Sequence, residues 1–447
     1  MYSTNGKHSN SPADELLCLF IITLLINCYV TIIMNSHTSI SGIFLWCRNI
    51  ILVTGSKVQV DKRLNVQYVL IQCSYYAVCT CFVAYMVPVL QKQGFSNSEI
   101  GMLLGIRALL SVIFQPLFAN FMDKYNKKIS FNLLIAVMII VSMLMTVAQL
   151  MNPGFLWMSV IFVFYGIFSF GMISFIDAMS TLYFHMGRKI NYPAARGFGS
   201  LSYAVSALLV GLLVEPATIL ILQLVLFVPL LILILNIDTL KGIEHPTDEA
   251  DQGNLSFFEL MKKFPLFKIF LITIILCFIG KEMTSNFLID VYTSLGGSSK
   301  TYGVGMFILA MSEVPAAILF IKLTNKLGIY RLMILSFSFA TLRVLLILLA
   351  PNLFVLNAVQ ALQMLGHGLF WAGNVQFIRT ILPAKYAVKA QAAVGVCYLG
   401  VGSGVGSIIG GFILENTSLT FMLLVSFILS VLGIIVLYSG KKYAKDL

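Results

Sequence analysis

The residues with the clearest capacity for chemistry are charged side chains inside long apolar runs. Asp177 is the only charged residue in FGMISFIDAMSTLYF, and Arg196 opens the next apolar run. A charge at the bilayer centre costs at least about 2.5–3.5 kcal/mol on insertion scales, so each should face a water-filled cavity or a partner. A carboxylate accepts and a guanidinium donates hydrogen bonds, so the two could form a polar clamp for a hydroxylated solute. The alternative is an ion pair that only joins two helices.

Glu313 is the best candidate for a proton carrier. A carboxyl group in a cavity of low dielectric constant favours its protonated form, whereas a nearby arginine such as Arg343 favours the ionised form. A bound solute could shift that balance, as proton-coupled transport requires. The alternative is a static bridge from Glu313 to Arg343 or to Lys281.

Two further titratable residues complete this set. His367 titrates near neutral pH, but it lies in the sequence LGHGL and could equally be a hydrogen-bonded packing residue. Lys281 and Glu282 are adjacent and point about 100° apart on a helix, so only one of them can face a cavity squarely. We select Lys281 as the residue that faces the cavity.

Aromatic and small residues in the apolar runs have weaker signals. Tyr75, Tyr76 and Trp371 could stack on a solute ring, although aromatic residues in spans more often pack or lie at the interface. Arg107 is expected to be a structural partner. The run GVGSGVGSIIGG predicts a face for close helix packing rather than a nucleotide loop, because no strand precedes it and no lysine follows.

The composition places these residues in an integral membrane protein. Of 447 residues, 59% are hydrophobic and 11% are charged, whereas soluble domains have about 25% charged residues. Apolar runs long enough to cross a bilayer as helices recur along the chain. We predict an all-α protein with twelve spans, at roughly 67–90, 99–121, 129–150, 154–184, 198–215, 217–236, 266–293, 301–323, 330–350, 353–382, 387–414 and 418–440.

A long polar loop divides the spans into two sets of six. The predicted organisation is an N-terminal extension, two six-helix bundles separated by a central loop, and a tail, at residues 1–66, 67–236, 237–265, 266–440 and 441–447. The extension contains the apolar stretch Leu16–Met34, which could be an extra helix, an uncleaved anchor or a product of an upstream start site. We favour an extra helix.

The distribution of basic residues predicts the orientation. The net charge of +11 is concentrated in alternate short loops, as the positive-inside rule describes, and therefore gives no reason to expect nucleic acid as a partner. We predict that the protein lies in the cell membrane, with the central loop and the C-terminus in the cytoplasm. The eight cysteines show no metal-ligand spacing, and we expect neither a metal nor a cofactor.

A repeated turn indicates that the two bundles are duplicates. Asp123-Lys124 after the second span corresponds to Asn325-Lys326 after the eighth, and Asn126 or Gly328 lies two residues past the base. Asparagine and glycine tolerate a left-handed backbone, so we expect a tight turn of that kind at both places.

This turn resembles the signature of the major facilitator superfamily, Gly-x-x-x-Asp-Lys/Arg-x-Gly-x-x-basic. Asp123, Lys124 and Lys128 match it, while Ala119 and Asn126 replace its two glycines. The resemblance implies a twelve-helix fold of two bundles. It also implies that the aspartate and the bases, with Asn325 and Lys326 in the second half, form a latch that holds one conformation.

Within the superfamily, the chain is similar to the lactose permease-like symporters of oligosaccharides and nucleosides with protons. Gln115-Pro116, the acid at Asp177 and the ARGFGSLSYA segment resemble that group, in which the corresponding acid and arginine bind sugar. Arg343 lies at the spacing of a proton-coupling arginine. The departures are a missing acid beside His367, Lys281 and Glu282 in place of two aspartates, and no lysine in span eleven, so lactose itself is a poor candidate.

The resulting prediction is a proton-coupled symporter of a sugar-like polyhydroxylated solute, which works by alternating access as a monomer in the lipid bilayer. The alternatives are an exporter of drugs or metabolites and a non-transporting sensor. An enzyme is not expected, because no cluster of His, Asp or Glu has catalytic spacing and no Walker loop is present.

Overall fold

The computed structural model describes residues 61–213, 215–242, 255–313 and 315–444. The predicted N-terminal extra helix, most of the central loop and the end of the tail lie outside the described residues. Within the described ranges the regular structure is entirely helical. The all-α prediction is confirmed.

Twelve helical units cross between the two faces of the molecule. In chain order, α1 to α12 are Lys62–Ala84, Asn97–Tyr125, Phe131–Leu150, Phe155–His185, Tyr192–Val210, Pro216–Asn236, Pro265–Asn286, Ser299–Glu313 with Ala316–Leu327, Ile329–Leu348, Leu353–Ile381, Ala384–Asn416 and Leu419–Tyr443. Nine helices in the described ranges are long and apolar enough to span a membrane, or ten if α7 is joined to the bent helix Phe257–Lys263 before it. Short helices, Met86–Lys92 and Leu288–Ser294, extend α1 and α7.

Side-chain caps explain why several helices begin where they do. The Ser96 hydroxyl accepts from the Glu99 N–H, and the Glu99 carboxylate accepts from the Ser96 N–H at 2.9 Å, so α2 begins with a capping box. Ser130 and Ser418 cap α3 and α12 in the simpler one-sided way. Proline occupies the first turn of α5, where its missing N–H costs no helical hydrogen bond.

The two duplicated turns differ in backbone conformation. Gly328 has φ +76° and ψ 157°, which confirms the predicted left-handed turn after α8. The same prediction for Asn126 is wrong, because Asn126 has φ −55° and ψ −29°. The Asn126 carbonyl instead accepts from the Gly242 N–H at 2.9 Å. The start of the central loop thus supplies the hydrogen-bond donor for this carbonyl at the end of α2, and Asn126 keeps helical dihedral angles.

Even-numbered helices end at one face of the molecule, which we call the basic face because it carries Lys124, Lys128 and Lys326. Odd-numbered helices end at the opposite face. Three apolar clusters fill the interior. One contains residues from both halves, among them Tyr85 and Tyr302, and the other two lie each within a single half around Tyr183 and Tyr330.

The two halves meet towards the opposite face. A Cβ atom added at Gly411 of α11 would lie 2.2 Å from the Asn97 carbonyl oxygen of α2, so glycine is required for this approach and the predicted packing face of span eleven is confirmed. Gln91 donates to Asp290 at 2.9 Å, and the Asn97 N–H donates to Glu415 at 2.8 Å. These contacts join the halves at the opposite face, whereas the two apolar clusters around Tyr183 and Tyr330, which lie towards the basic face, each stay within one half.

Three π-helical segments interrupt the helices near the middle of the fold. They are Thr80–Ala84 in α1, Tyr165–Phe170 in α4 and Val396–Val405 in α11. All three pack against α2. Because π-helical segments loosen the backbone and are frequent at functional sites, they direct attention to the space between the halves.

Candidate functional site

Neutral groups hold Asp177 in the second half of α4. Gln72 of α1 donates to the Asp177 carboxylate at 2.8 Å, and the Tyr192 hydroxyl at the start of α5 also hydrogen-bonds to it. Gln72 itself is fixed by a second bond to the Tyr68 hydroxyl at 3.0 Å. The carboxylate is therefore oriented by two other helices of its own half, α1 and α5.

Arg196 lies near this carboxylate but does not pair with it. Its guanidinium lies over the Tyr76 ring, 4.5 Å from the centroid, and its Nη1 atom is buried without a partner. The ion pairs in the described ranges include none between Asp177 and Arg196. The ion pair weighed in the sequence is therefore not formed in this conformation. The clamp stays a prediction in which solute would contact both groups.

Tyr75 is a buried residue of the N-terminal half. Its side chain is 5% exposed and meets the Tyr76 ring edge-on at 5.6 Å. The Arg196 guanidinium thus lies over the Tyr76 ring, and Tyr75 packs edge-on against that same ring. A role for Tyr75 in direct solute contact stays untested.

Glu313 occupies the end of the first segment of α8, where it meets His367 of α10. The Glu313 carboxylate accepts from the Gln363 side chain at 2.9 Å and lies 3.0 Å from His367 Nδ1. A 3-10 segment, Ala361–Met364, and a sharp backbone break at Gly366 place these two residues of α10 on the same side. The static bridges to Arg343 or Lys281 weighed in the sequence are absent from the described ion pairs, and His367 takes their place.

Trp371 lies one helical turn beyond His367. Its indole N–H donates to His367 Nε2 at 2.7 Å, and its side chain is 43% exposed. The ring meets Tyr398 of α11 edge-on, with 5.1 Å between centroids. Trp371 therefore has one polar edge in the Glu313–His367 chain and an apolar surface open to the space between the halves.

Lys281 and Glu282 bond to each other although their backbone positions diverge. Lys281 Nζ lies 2.6 Å from a Glu282 carboxylate oxygen, because both side chains are long enough to curl together. Lys281 also lines a cavity of about 30 Å³ with Arg343 and His367, which has room for about two water molecules. This cavity lies inside the C-terminal half, and the prediction that Lys281 faces the solute cavity stays a prediction.

Arg343 is buried and pairs with a neutral group. Its Nη2 atom donates to the Gln360 side-chain oxygen at 2.6 Å, and its Nε atom has no partner. A water molecule in the adjacent cavity would satisfy that N–H. The structure thus brings Arg343, Lys281 and His367 together at one cavity inside the C-terminal half.

Charges of the two halves act on one another across the space between them. Arg196 of α5 interacts electrostatically with Glu313 of α8, and both Asp177 and Arg196 act on the Tyr398 hydroxyl of α11. The polar groups of the two halves therefore face one shared site.

The family model described as "MFS_1 like family" matches residues 63–425 of the chain. The chain belongs to this family of major facilitator transporters. Among curated relatives, an uncharacterized transporter, YwbF of Bacillus subtilis, is 25% identical over 353 residues, which cover 77% of this chain and 84% of that protein. The maltose permease of Geobacillus stearothermophilus is 23% identical over 371 residues, covering 81% and 91%.

Solved structures show the same fold. A crystal structure of a mutant of the nucleoside transporter NupG matches with a TM-score of 0.73 at 15% identity, and covers 84% of this chain and 99% of its own. A bacterial homologue of the iron transporter ferroportin, in an inward-facing state, matches with a TM-score of 0.64 at 12% identity, covering 85% and 99%. The protein is thus a multi-pass membrane transporter of a small-molecule solute with the twelve-helix major facilitator fold.

The predicted latch residues of this transporter lie at the basic face. The five side chains are exposed and lie at the ends of α2 and α8 or just beyond: Asp123, Lys124, Lys128, Asn325 and Lys326. Asp123 lies in the N-terminal half and Asn325 and Lys326 in the C-terminal half, so such a latch would join the two halves at this face. Its role stays a prediction.

Sequence reasoning missed the neutral partners in the transporter's site. Gln72 and Gln363 bond to the charged residues and Tyr398 packs against Trp371, yet only their polarity inside apolar runs could have drawn attention to them. The structural role expected for Arg107 agrees with its contacts. It donates to the Phe82 carbonyl at 2.8 Å and lies over the Phe170 ring at 4.6 Å.

Proposed function

We propose that this transporter is a proton-coupled symporter of a sugar-like, polyhydroxylated solute that works by alternating access. The observation that carries the proposal is the hydrogen-bonded Glu313–His367 pair beside the exposed face of Trp371, opposite Arg196. It combines a titratable carboxylate with surfaces that suit a sugar. The resemblance to a maltose permease supports the same solute class.

The N-terminal half supplies the polar contacts to solute in this proposal. Asp177 would accept hydrogen bonds from solute hydroxyls, and the unpartnered Nη1 of Arg196 would donate. Trp371 would pack on the apolar face of a sugar ring from the other half. Solute would then contact both halves at once, as a site between two rocking bundles requires.

The C-terminal half supplies the proton site. In this conformation the Glu313 carboxylate accepts from Gln363 and faces His367 Nδ1. Both contacts reach the same oxygen, Oε1, so a proton on Oε2 would keep both bonds but remove the negative charge that strengthens them. Protonation would therefore weaken the contacts between α8 and α10.

The conformation corresponds to an inward-facing transporter if the positive-inside rule assigns the basic face to the cytoplasm. The Gln91–Asp290 and Asn97–Glu415 hydrogen bonds join the halves at the opposite face, and the two apolar clusters towards the basic face do not bridge the halves. We place the protein in the cell membrane as a monomer, with the central loop and the C-terminus in the cytoplasm.

The test is pH recording in lightly buffered vesicles that contain the protein, challenged in turn with maltose, lactose, glucose and uridine. Solute-driven alkalinisation outside is expected for the wild type. It should be lost in both Asp177→Asn and Glu313→Gln. Glu259→Gln is the matched control, because Glu259 caps an exposed helix before α7 and lies far from the site. No response to any solute, with the protein shown to be folded, would refute sugar symport.

A second candidate, export of drugs or metabolites, is favoured by the missing Asp177–Arg196 ion pair and by the ring of Tyr76 beneath Arg196. An aromatic site without a preformed clamp suits flat apolar compounds. Proton-driven efflux of a dye such as ethidium, with no sugar response, would support this candidate. Solute binding without movement in either direction would indicate a sensor.

A further inference from the structure

The protonation state of His367 follows from its two hydrogen bonds. An indole N–H can only donate, so the His367 Nε2 atom that Trp371 contacts at 2.7 Å must be an acceptor without a proton. The single ring proton of a neutral histidine is then on Nδ1, from where it donates to Glu313 at 3.0 Å. This conformation therefore contains a neutral His367 in its Nδ1–H form, with Nδ1 donating to the Glu313 carboxyl group.

Trp371 opposes further protonation of His367. A second ring proton would reside on Nε2 and point directly at the indole N–H, so two donors would face each other. His367 can gain that proton only if the indole moves away from it. Once the Trp371–His367 hydrogen bond is broken, Nε2 can accept a proton, and His367 can then pass its Nδ1 proton to Glu313.

The surroundings of His367 include charges from four other helices. These groups are Glu313 of α8, Lys281 and Glu282 of α7, Arg343 of α9 and Tyr398 of α11. Within the described part of the chain, the hydrogen bond to Nε2 comes from Trp371 and from none of these groups. The indole is therefore the group that decides whether this nitrogen is free.

Trp371 is also positioned to respond to solute. Trp371 is 43% exposed, and its N–H bonds to His367. Its ring meets Tyr398 of α11, on which Asp177 and Arg196 of the other half act. A solute ring that packs on the indole would move or tilt it, and 2.7 Å contacts weaken steeply with such misalignment. One side chain thus joins the solute surface to the proton chain.

We propose that Trp371 is the positioning residue that couples solute to proton: its indole N–H holds His367 in the Nδ1–H form, and solute packing on the indole releases Nε2 to accept a proton. This inference rests on the proposed function for its solute half. Its first half concerns only Trp371 and His367 and can be tested without any solute.

The test is ¹⁵N NMR of the full-length protein in lipid nanodiscs, with histidine labelled at both ring nitrogens. The two neutral forms and the doubly protonated form have distinct ¹⁵N signals, and the His367 signals are assigned by their loss in His367→Gln. Without solute at pH 8, the wild type should show the Nδ1–H form. In Trp371→Phe, which keeps a ring but loses the donor, Nδ1 keeps its bond to Glu313 while Nε2 becomes free to accept a proton, so the titration midpoint of His367 should rise by about one pH unit.

Trp157→Phe is the matched control, because Trp157 lies on the outer surface of α4 and is 67% exposed. It should leave the His367 signals unchanged. An Nε2–H form in the wild type, or the wild-type titration in Trp371→Phe, would overturn the proposal whatever the transport assays show.

The solute half uses the compound among maltose, lactose, glucose and uridine that gives the largest proton signal in vesicles. Saturating amounts should shift the His367 titration of the wild type towards that of Trp371→Phe and should leave the variant unchanged. A wild-type titration that solute does not move would overturn this half. If no compound moves protons, the proposed symport fails, and the solute-free NMR result still decides the Trp371–His367 contact.

Discussion

The two halves of the transporter hold their membrane charges in different ways. In the N-terminal half, Asp177 is held by neutral donors and Arg196 by the Tyr76 ring. In the C-terminal half, Glu313 is bonded to His367, and Lys281 to Glu282, so titratable groups hold one another. A neutral partner leaves the charge of a site unchanged, whereas a titratable partner lets a proton move without a large change in local charge.

This difference assigns separate tasks to the halves. A constant charge at Asp177 and Arg196 suits the recognition of solute, because the hydrogen-bond pattern stays the same through the cycle. An exchangeable proton at Glu313 and His367 suits coupling. Trp371 lies where these tasks meet, with one edge in the proton chain and one face towards the N-terminal half.

The strongest way to break this comparison is to neutralise one acid in each half and measure solute counterflow, which needs no net proton movement. Asp177→Asn should weaken solute binding about 10–100-fold, because a hydrogen bond to a charged group contributes about 1.5–3 kcal/mol. Glu313→Gln should keep counterflow near the wild-type rate and lose only solute-driven proton movement. The same defect in both variants would show that the halves do not divide these tasks.

Two buried arginines offer a second, smaller contrast, because each half has one that is 3% exposed and bonded to a neutral oxygen. Arg107→Met should lower the thermal stability, since the Phe82 carbonyl loses its donor at a cost of about 1–3 kcal/mol. It should not change the pH profile of counterflow. Arg343→Met removes a positive charge beside the cavity that His367 lines, so the profile should move to higher pH by about one unit. Identical pH profiles in the two variants would contradict the contrast.

The Lys281–Glu282 pair tests whether titratable partners depend on each other. Lys281→Met and Glu282→Gln should each lower the thermal stability, and the double variant should recover part of the loss, with a coupling of about 1 kcal/mol. Thermal unfolding of the detergent-solubilised protein measures all three. Strictly additive losses would mean that the 2.6 Å contact contributes nothing to the fold.

The sequence predicts the fold well and the site only in part. Twelve apolar runs and the basic turns suffice for the fold, because bilayer thickness and loop charge restrict the chain strongly. Charged residues inside those runs are rare, which is why Asp177 and Glu313 are recognisable. Their partners are not, because Glu313 and His367 are 54 positions apart and meet only through the packing of α8 against α10. Asn126 was misjudged because its cap comes from Gly242, far along the chain.

The smallest expected effect concerns the basic face of the N-terminal half, where Arg188 bonds to Asp61 at 3.0 Å and also contacts Asp238. The Arg188 guanidinium beside Asp61 holds the pKa of that carboxyl below its ordinary value. A carboxyl whose pKa is lower in the folded state stabilises the fold above its unfolded pKa of about 3.9, and this stabilisation is lost as the pH falls through the folded pKa. Both side chains are about a third exposed, so solvent limits the contribution to about 0–1 kcal/mol.

Arg188→Ala should therefore lower the melting temperature slightly at pH 7, and its difference from the wild type should shrink towards pH 3. Lys189→Ala is the matched control, since it removes a positive charge from the same turn. The Lys189 side chain lies over the Phe184 ring. This control variant should show no such pH dependence. If the melting temperature of Arg188→Ala stays below that of the wild type by the same amount down to pH 3, the Arg188 side chain stabilises the fold by packing and not by its charge.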